Sequence, residues 1–158
     1  MQFLSSAKGF LGLQKKDAAS PKDAKAVIIP FGLESSVSYG GGTSKGPQAM
    51  IDASHQVELF DDEFWCEPFR RYGVVTMNPP RIAKGQVKAL AQLEGMVEDT
   101  LKAGKFPFVF GGEHALTAGS IRPFAKRSKD LVVLKIDAHA HLSILDGSTH
   151  RPDPPHGA

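Results

Sequence analysis

The chain has 158 residues, of which 41% are hydrophobic, 23% charged and 8% aromatic. That length and mixture suit one globular domain, or part of a larger one, and argue against a wholly disordered chain. Nineteen Lys and Arg against seventeen Asp and Glu leave a net charge of +2, so no nucleic-acid partner is expected. Cys66 is the single cysteine, which excludes an internal disulfide or thiolate cluster and fits a reducing, cytoplasmic setting. No apolar run approaches the roughly 18 residues of a transmembrane helix, so no membrane partner is expected either.

Residues 1–23 read as a leader and linker. They lack the order of a secretory signal, which places charge first, an apolar run second and small residues third. Residues 26–30 (AVIIP) form a short apolar run after polar residues, the pattern of a buried strand. A turn-rich Gly and Ser stretch follows, and Pro47 suits the first position of a helix reaching Ser54 or His55. Residues 61–68 are acidic, aromatic and irregular; 72–77 (YGVVTM) predict a second strand. A long helix over 82–103 carries Val87, Leu90, Leu93, Val97 and Leu101 on one stripe and stops at Gly104. Residues 106–110 (FPFVF) predict a third strand, 114–126 a helix ended or kinked by Pro123, and 131–136 (LVVLKI) a fourth strand. Lys126, Arg127 and Lys129 read as a solvated helix end.

Strands alternating with helices imply crossover connections, a mainly parallel sheet and helices on both of its faces. The tail 143–158 is irregular; its last nine residues hold three prolines and extend neither a helix nor a central strand. A domain built this way is not expected to end there, so the chain reads as stopping soon after its fourth strand.

In open parallel sheets ligands bind beyond the carboxyl ends of the strands. Two polar clusters occupy such positions: Gly111-Gly112-Glu113-His114 after the third strand, and Asp137-Ala138-His139-Ala140-His141 after the fourth. Asp137, His139 and His141 alternate, so an extended backbone carries them on one side. With His114 they compose a borderline set of metal ligands. Singly, each also suits a capping or core role.

GGEHALT followed by DAHAHL resembles the paired signatures of the ureohydrolase family of arginases and agmatinases, and 38–61 resembles the Gly-Thr-x-x-Gly-Pro segment of agmatinase-like members. The resemblance covers roughly the N-terminal half of that domain, over 24–142. It implies a three-layer α/β/α fold of the arginase/deacetylase type. It also implies two Mn²⁺ ions that activate water for attack on a guanidinium carbon, with urea and an amine as products. By the same resemblance His114 binds one ion, Asp137 bridges both, His139 binds the second, and Glu113 steers the loop or a ligand imidazole. His156, before Gly157, corresponds to a proton shuttle, although its surroundings do not match.

Two departures weaken that site. The family carries Asp where this chain has His141, which removes one negative charge and softens the site toward Zn²⁺. The later Ser-x-Asp-x-Asp segment, with two further metal carboxylates, does not occur in the sequence, nor does the late Glu that holds the guanidinium. Fewer than two tightly bound ions are therefore expected. An agmatine hydrolase is the first reading. An inactive metal-binding or oligomer-forming module and an arginase, or another guanidino-acid hydrolase, are the alternatives. Family trimers and hexamers imply a homo-oligomer, and a small guanidino compound is the implied substrate. A phosphate cradle at 40–42 is disfavoured, because no Gly-Lys-[Ser/Thr] follows. His55 reads as a cap or surface residue, Phe64, Trp65 and Phe69 as packing, and Cys66 as structural.

Overall fold

A computed structural model of the chain describes residues 1–37 and 39–137. Three strands, β1 (Ala26–Phe31), β2 (Val74–Thr76) and β3 (Phe106–Gly111), form a parallel sheet in the order β2-β1-β3. Four helices accompany them: α1 (Gly46–Ser54), α2 (Pro68–Tyr72), α3 (Gln86–Lys102) and α4 (Leu116–Ala125).

All six residues of β1 are buried, as a central strand covered on both faces requires. Val27, Ile29 and Phe31 point to α3 and α4, where they meet Ala89, Leu93, Val97 and Leu116. Ala26 and Ile28 point the other way, toward Leu13, Phe69 and Val74, with Phe10 and Phe110 packed alongside. Period-two alternation thus divides one strand between two apolar layers. Pro30 sits in this strand without cost to the ladder. The Ala26 N–H donates to the Gly73 carbonyl, so by alternation the Pro30 nitrogen faces the β2 side, past the last paired couple Ile28 and Thr76.

In α3 the buried residues are Ala89, Leu93, Val97 and Thr100, the last donating its hydroxyl to the Met96 carbonyl at 2.8 Å. Val87, assigned to the apolar stripe by spacing, is 82% exposed in the first turn. Gly119 lets α4 approach α3 closely, since a Cβ there would lie 2.9 Å from the Leu90 carbonyl oxygen. Across that interface Arg122 and Lys126 pair with Glu94, and Arg127 with Glu98.

The N-terminal segment lies against the sheet. Phe3 forms an antiparallel bridge with Met77, and the Leu4 N–H donates to the Thr76 carbonyl, so the outer edge of β2 is covered at its carboxyl end. The Phe10 N–H donates to Thr76 Oγ1 and the Leu11 N–H to Ser54 Oγ, both at 2.8 Å. His55 donates from Nε2 to the Gly9 carbonyl at 2.8 Å, joining this segment to the end of α1.

Three sequence expectations are corrected. Residues 131–136 are no strand: Val132, Leu134 and Ile136 are 85–92% exposed, and nothing among the described residues pairs with them as a ladder. Phe64 and Trp65 are exposed rather than packed, whereas Phe69 is buried as expected. Trp65 also takes a left-handed φ of 50°, beside an edge-on contact with Phe60. The short helix α2 begins at Pro68, the end of the segment read as irregular, and takes in Tyr72, read as the start of the second strand. Among the described residues no helix is long and apolar enough to cross a membrane.

Candidate functional site

The carboxyl ends of β1 and β3 open onto one side of the sheet, and two close backbone approaches join the loops that follow them. A Cβ on Gly32 would lie 2.2 Å from the Ser44 carbonyl oxygen, and one on Gly112 2.1 Å from that of Leu33. Neither position tolerates a side chain without moving backbone. The Glu113 N–H donates to the Leu33 carbonyl, and Thr43 Oγ1 donates to the Gly112 carbonyl at 2.9 Å. The turn after β3 is thereby fastened to both limbs of the loop after β1.

Glu113 completes this fastening. Its Oε2 accepts the N–H groups of Ser35 and Ser36, both at 2.7 Å. Its Oε1 accepts their hydroxyls at 3.0 and 2.9 Å. Burial raises the carboxyl pKa, but the four donors from Ser36 and Ser35 outweigh it and hold the group below the usual carboxylate range. Of the two roles the sequence leaves open for Glu113, loop or imidazole, the loop contacts are present. Glu34 does similar work one turn away. Its carboxylate accepts the Ser44 and Gly42 N–H groups, each at 2.8 Å. The Ser44 contacts lead in lowering its pKa. Sequence reasoning passed over Glu34, Ser35 and Ser36. Their one signal is position, shortly after a buried strand that is followed by Gly32.

His114 projects from the same turn with its side chain 74% exposed. Its Nδ1 lies 3.5 Å from Asp137 Oδ2, an ion pair when the imidazole is protonated. The Asp137 side chain is 10% exposed, although the residue as a whole is open to solvent, and it also receives Lys135 Nζ at 3.3 Å. The structure therefore brings together two of the four sequence-assigned ligands, from segments 23 positions apart. His139, His141 and His156 lie outside the described residues. Among the described residues no group of three or more His, Cys, Asp or Glu side chains assembles as a metal site. Two open cavities lie along these loops. A groove of about 440 Å³ runs along β3 and α4 past His114, and a cleft of about 590 Å³ lies between Glu34, Gly42, Lys45 and Ala83.

A parallel sheet whose strand-end loops converge on an imidazole and a carboxylate defines an α/β protein of the kind that places ligands beyond its strand ends. The family model described as the Arginase family matches residues 24–156, and the chain belongs to that family. An N(1)-aminopropylagmatine ureohydrolase of Synechocystis is 34% identical over 161 aligned residues, covering 94% of this chain and 50% of that protein. An agmatinase of Bacillus subtilis is 28% identical, with 78% of this chain and 42% of that protein covered. A crystal structure of a putative agmatinase from Clostridium difficile matches with a TM-score of 0.69 at 18% identity, covering 76% of this chain and 44% of that one, which speaks for the fold. The chain spans about half the length of the curated relatives it matches.

Proposed function

We propose that the chain supplies the N-terminal share of a ureohydrolase site, where water is added to the guanidinium carbon of agmatine and the carbon–nitrogen bond to the alkyl chain breaks. Urea and putrescine are the products, and the proton from water ends on the leaving amine. The observation that carries this reading is the 3.5 Å approach of His114 Nδ1, in the turn after β3, to Asp137 Oδ2 in an arginase-family chain.

The Asp137 carboxylate suits the manganese that the family resemblance implies, and the His114 imidazole adds a softer donor, so the pair fits as two ligands of a larger set. Bound there, the ion supplies Lewis-acid polarisation and lowers the pKa of water. His114, Asp137, His139 and His141 would hold it, and His156 would relay the proton. Glu113 does not reach for substrate in this scheme. It fixes Ser35 and Ser36, and with them the loop that forms the wall of the neighbouring cleft. Lys135 beside Asp137 offsets the carboxylate charge while no ion is bound.

A second substrate reading has a specific support. The relative that aligns with 94% of this chain acts on N(1)-aminopropylagmatine, which carries the same guanidinium on a longer amine. The test is urea release in excess Mn²⁺ from agmatine, N(1)-aminopropylagmatine and arginine. It uses residues 1–158 alone and joined to the C-terminal half of the Synechocystis relative. We expect at most one weakly held ion and negligible turnover from residues 1–158 alone, turnover of an agmatine-type substrate in the joined form, and at least a hundredfold loss there in His114→Ala and Asp137→Asn. Full activity in either variant, or robust turnover by residues 1–158 alone, overturns the reading. A preference for arginine moves the assignment to an arginase.

A further inference from the structure

The N-terminal segment does not lie flush on the sheet. Between residues 3–21 and β2 it leaves a cavity of about 510 Å³, two strands away from the β3 turn that carries His114. Hydrogen bonds and an ion pair pin the walls. Leu4 bonds to Thr76 beside the bridge of Phe3 with Met77. Gly9, Phe10 and Leu11 bond to His55, Thr76 and Ser54. Asp17 pairs with Arg70 at 2.9 Å. Each of these contacts is made between protein groups and needs nothing inside the cavity. The space is therefore pre-formed, as ligand pockets mostly are, and its volume lies in their range.

The lining joins two kinds of chemistry. Phe3, Leu4, Leu13 and Val75 give it an apolar wall. Among the described residues that line it, Lys15 is the one ionisable side chain, and no Asp or Glu faces it. Lys15 is exposed, and its ammonium pairs with no carboxylate among the described residues. Asp17, two positions on, is already held by Arg70. A long amine of this kind keeps its charge in water while its stem lies along apolar surface. An apolar space with one unpaired cation and no anion suits a molecule that has an apolar body and a single negative charge.

We propose that this cavity binds a single-chain aliphatic carboxylate of roughly eight to twelve carbons, a size that suits a pocket of this class. The tail lies between Phe3, Leu4, Leu13 and Val75, and the carboxylate meets Lys15. The proposal stands apart from the ureohydrolase reading, because none of these residues belongs to the loops at the strand ends.

The probe is decanoate, held below its micelle concentration and titrated calorimetrically into the full 158-residue chain, with methyl chemical shifts recorded for Leu4, Leu13 and Val75. The expected result is one site that shifts all three methyls. Decanoate should bind at least tenfold more tightly than hexanoate, because each buried methylene is worth about fourfold in affinity. Lys15→Met keeps the length of the side chain and removes its charge. It should weaken decanoate at least fivefold while leaving decanol, which has the same tail and no charge, within twofold. Equal affinity for decanoate and hexanoate, still methyls on binding, or undiminished decanoate affinity in Lys15→Met overturns the proposal. Loss of decanol together with decanoate in that variant also overturns it, since Lys15 would then hold the cavity's shape rather than the carboxylate. No readout needs urea release, so failure here is separable from failure of the proposed activity.

Discussion

Glu113 and His114 are neighbours in sequence with opposite surroundings. Glu113 is 9% exposed and its carboxylate receives four hydrogen bonds, while the His114 side chain is 74% exposed and lies 3.5 Å from one carboxylate oxygen. The first is satisfied wholly by residues of β1 and its loop. The second lies at the surface beside Asp137, a residue of a later segment. The comparison separates a frame, complete within residues 24–117, from a reactive pair that this frame merely presents. It also implies that damage to the frame is read in stability and damage to the pair in ligand binding.

The largest effect should come from the frame's tightest approach. Gly112→Ala drives a Cβ to 2.1 Å from the Leu33 carbonyl oxygen. We expect a loss of about 4 kcal/mol, the scale of the most severe single substitutions, or failure to fold. Chemical denaturation checks it, and a loss below about 1 kcal/mol would mean that the turn shifts freely. Glu113→Ala comes next, at about 3 kcal/mol, because it leaves the Ser35 and Ser36 donors without their charged acceptor.

The pH dependence sharpens the same contrast. Glu113 and Glu34 both have carboxyl pKa values below the ordinary 4.5. Their contribution to stability is present in full above that value and is lost as pH falls below it and through the lowered folded-state pKa. Glu113→Gln should flatten the fall of unfolding free energy from pH 5 to pH 3. An unchanged slope would show that the carboxylate contributes nothing to acid sensitivity. The smallest stability effect belongs to His114→Ala, expected within about 0.5 kcal/mol because the imidazole is surface-exposed. Calorimetric titration with Mn²⁺ should nevertheless detect loss of whatever divalent binding the chain has. A destabilisation above about 2 kcal/mol would place His114 in the frame instead.

Legibility followed local completeness. β1, α1, β3 and α4 were readable within a few residues because continuous apolar runs, Pro47 and the Gly111-Gly112 break act over short range. The stripe on α3 was readable except at Val87, where spacing continued one turn past the surface that the sheet covers. Phe64 and Trp65 misled because aromatic bulk predicts burial only where a neighbouring layer exists to receive it. Glu34 stayed hidden because nothing in an acidic residue after a strand announces which backbone amides, eight and ten positions later, will fold back onto it.

Sequence by itself determined the family and the parallel β-α-β alternation, and it singled out His114 and Asp137 among four candidate ligands. Those features depend on residue type and on spacing along the chain. Tertiary structure decided that the N-terminal segment covers the carboxyl end of the β2 edge, that Glu113 grips Ser35 and Ser36, and that 131–136 stays out of the sheet. A strand is a pairing, not a composition. LVVLKI has every local property of a central strand, yet a ladder needs a neighbouring edge to receive its hydrogen bonds, and no strand among the described residues pairs with it.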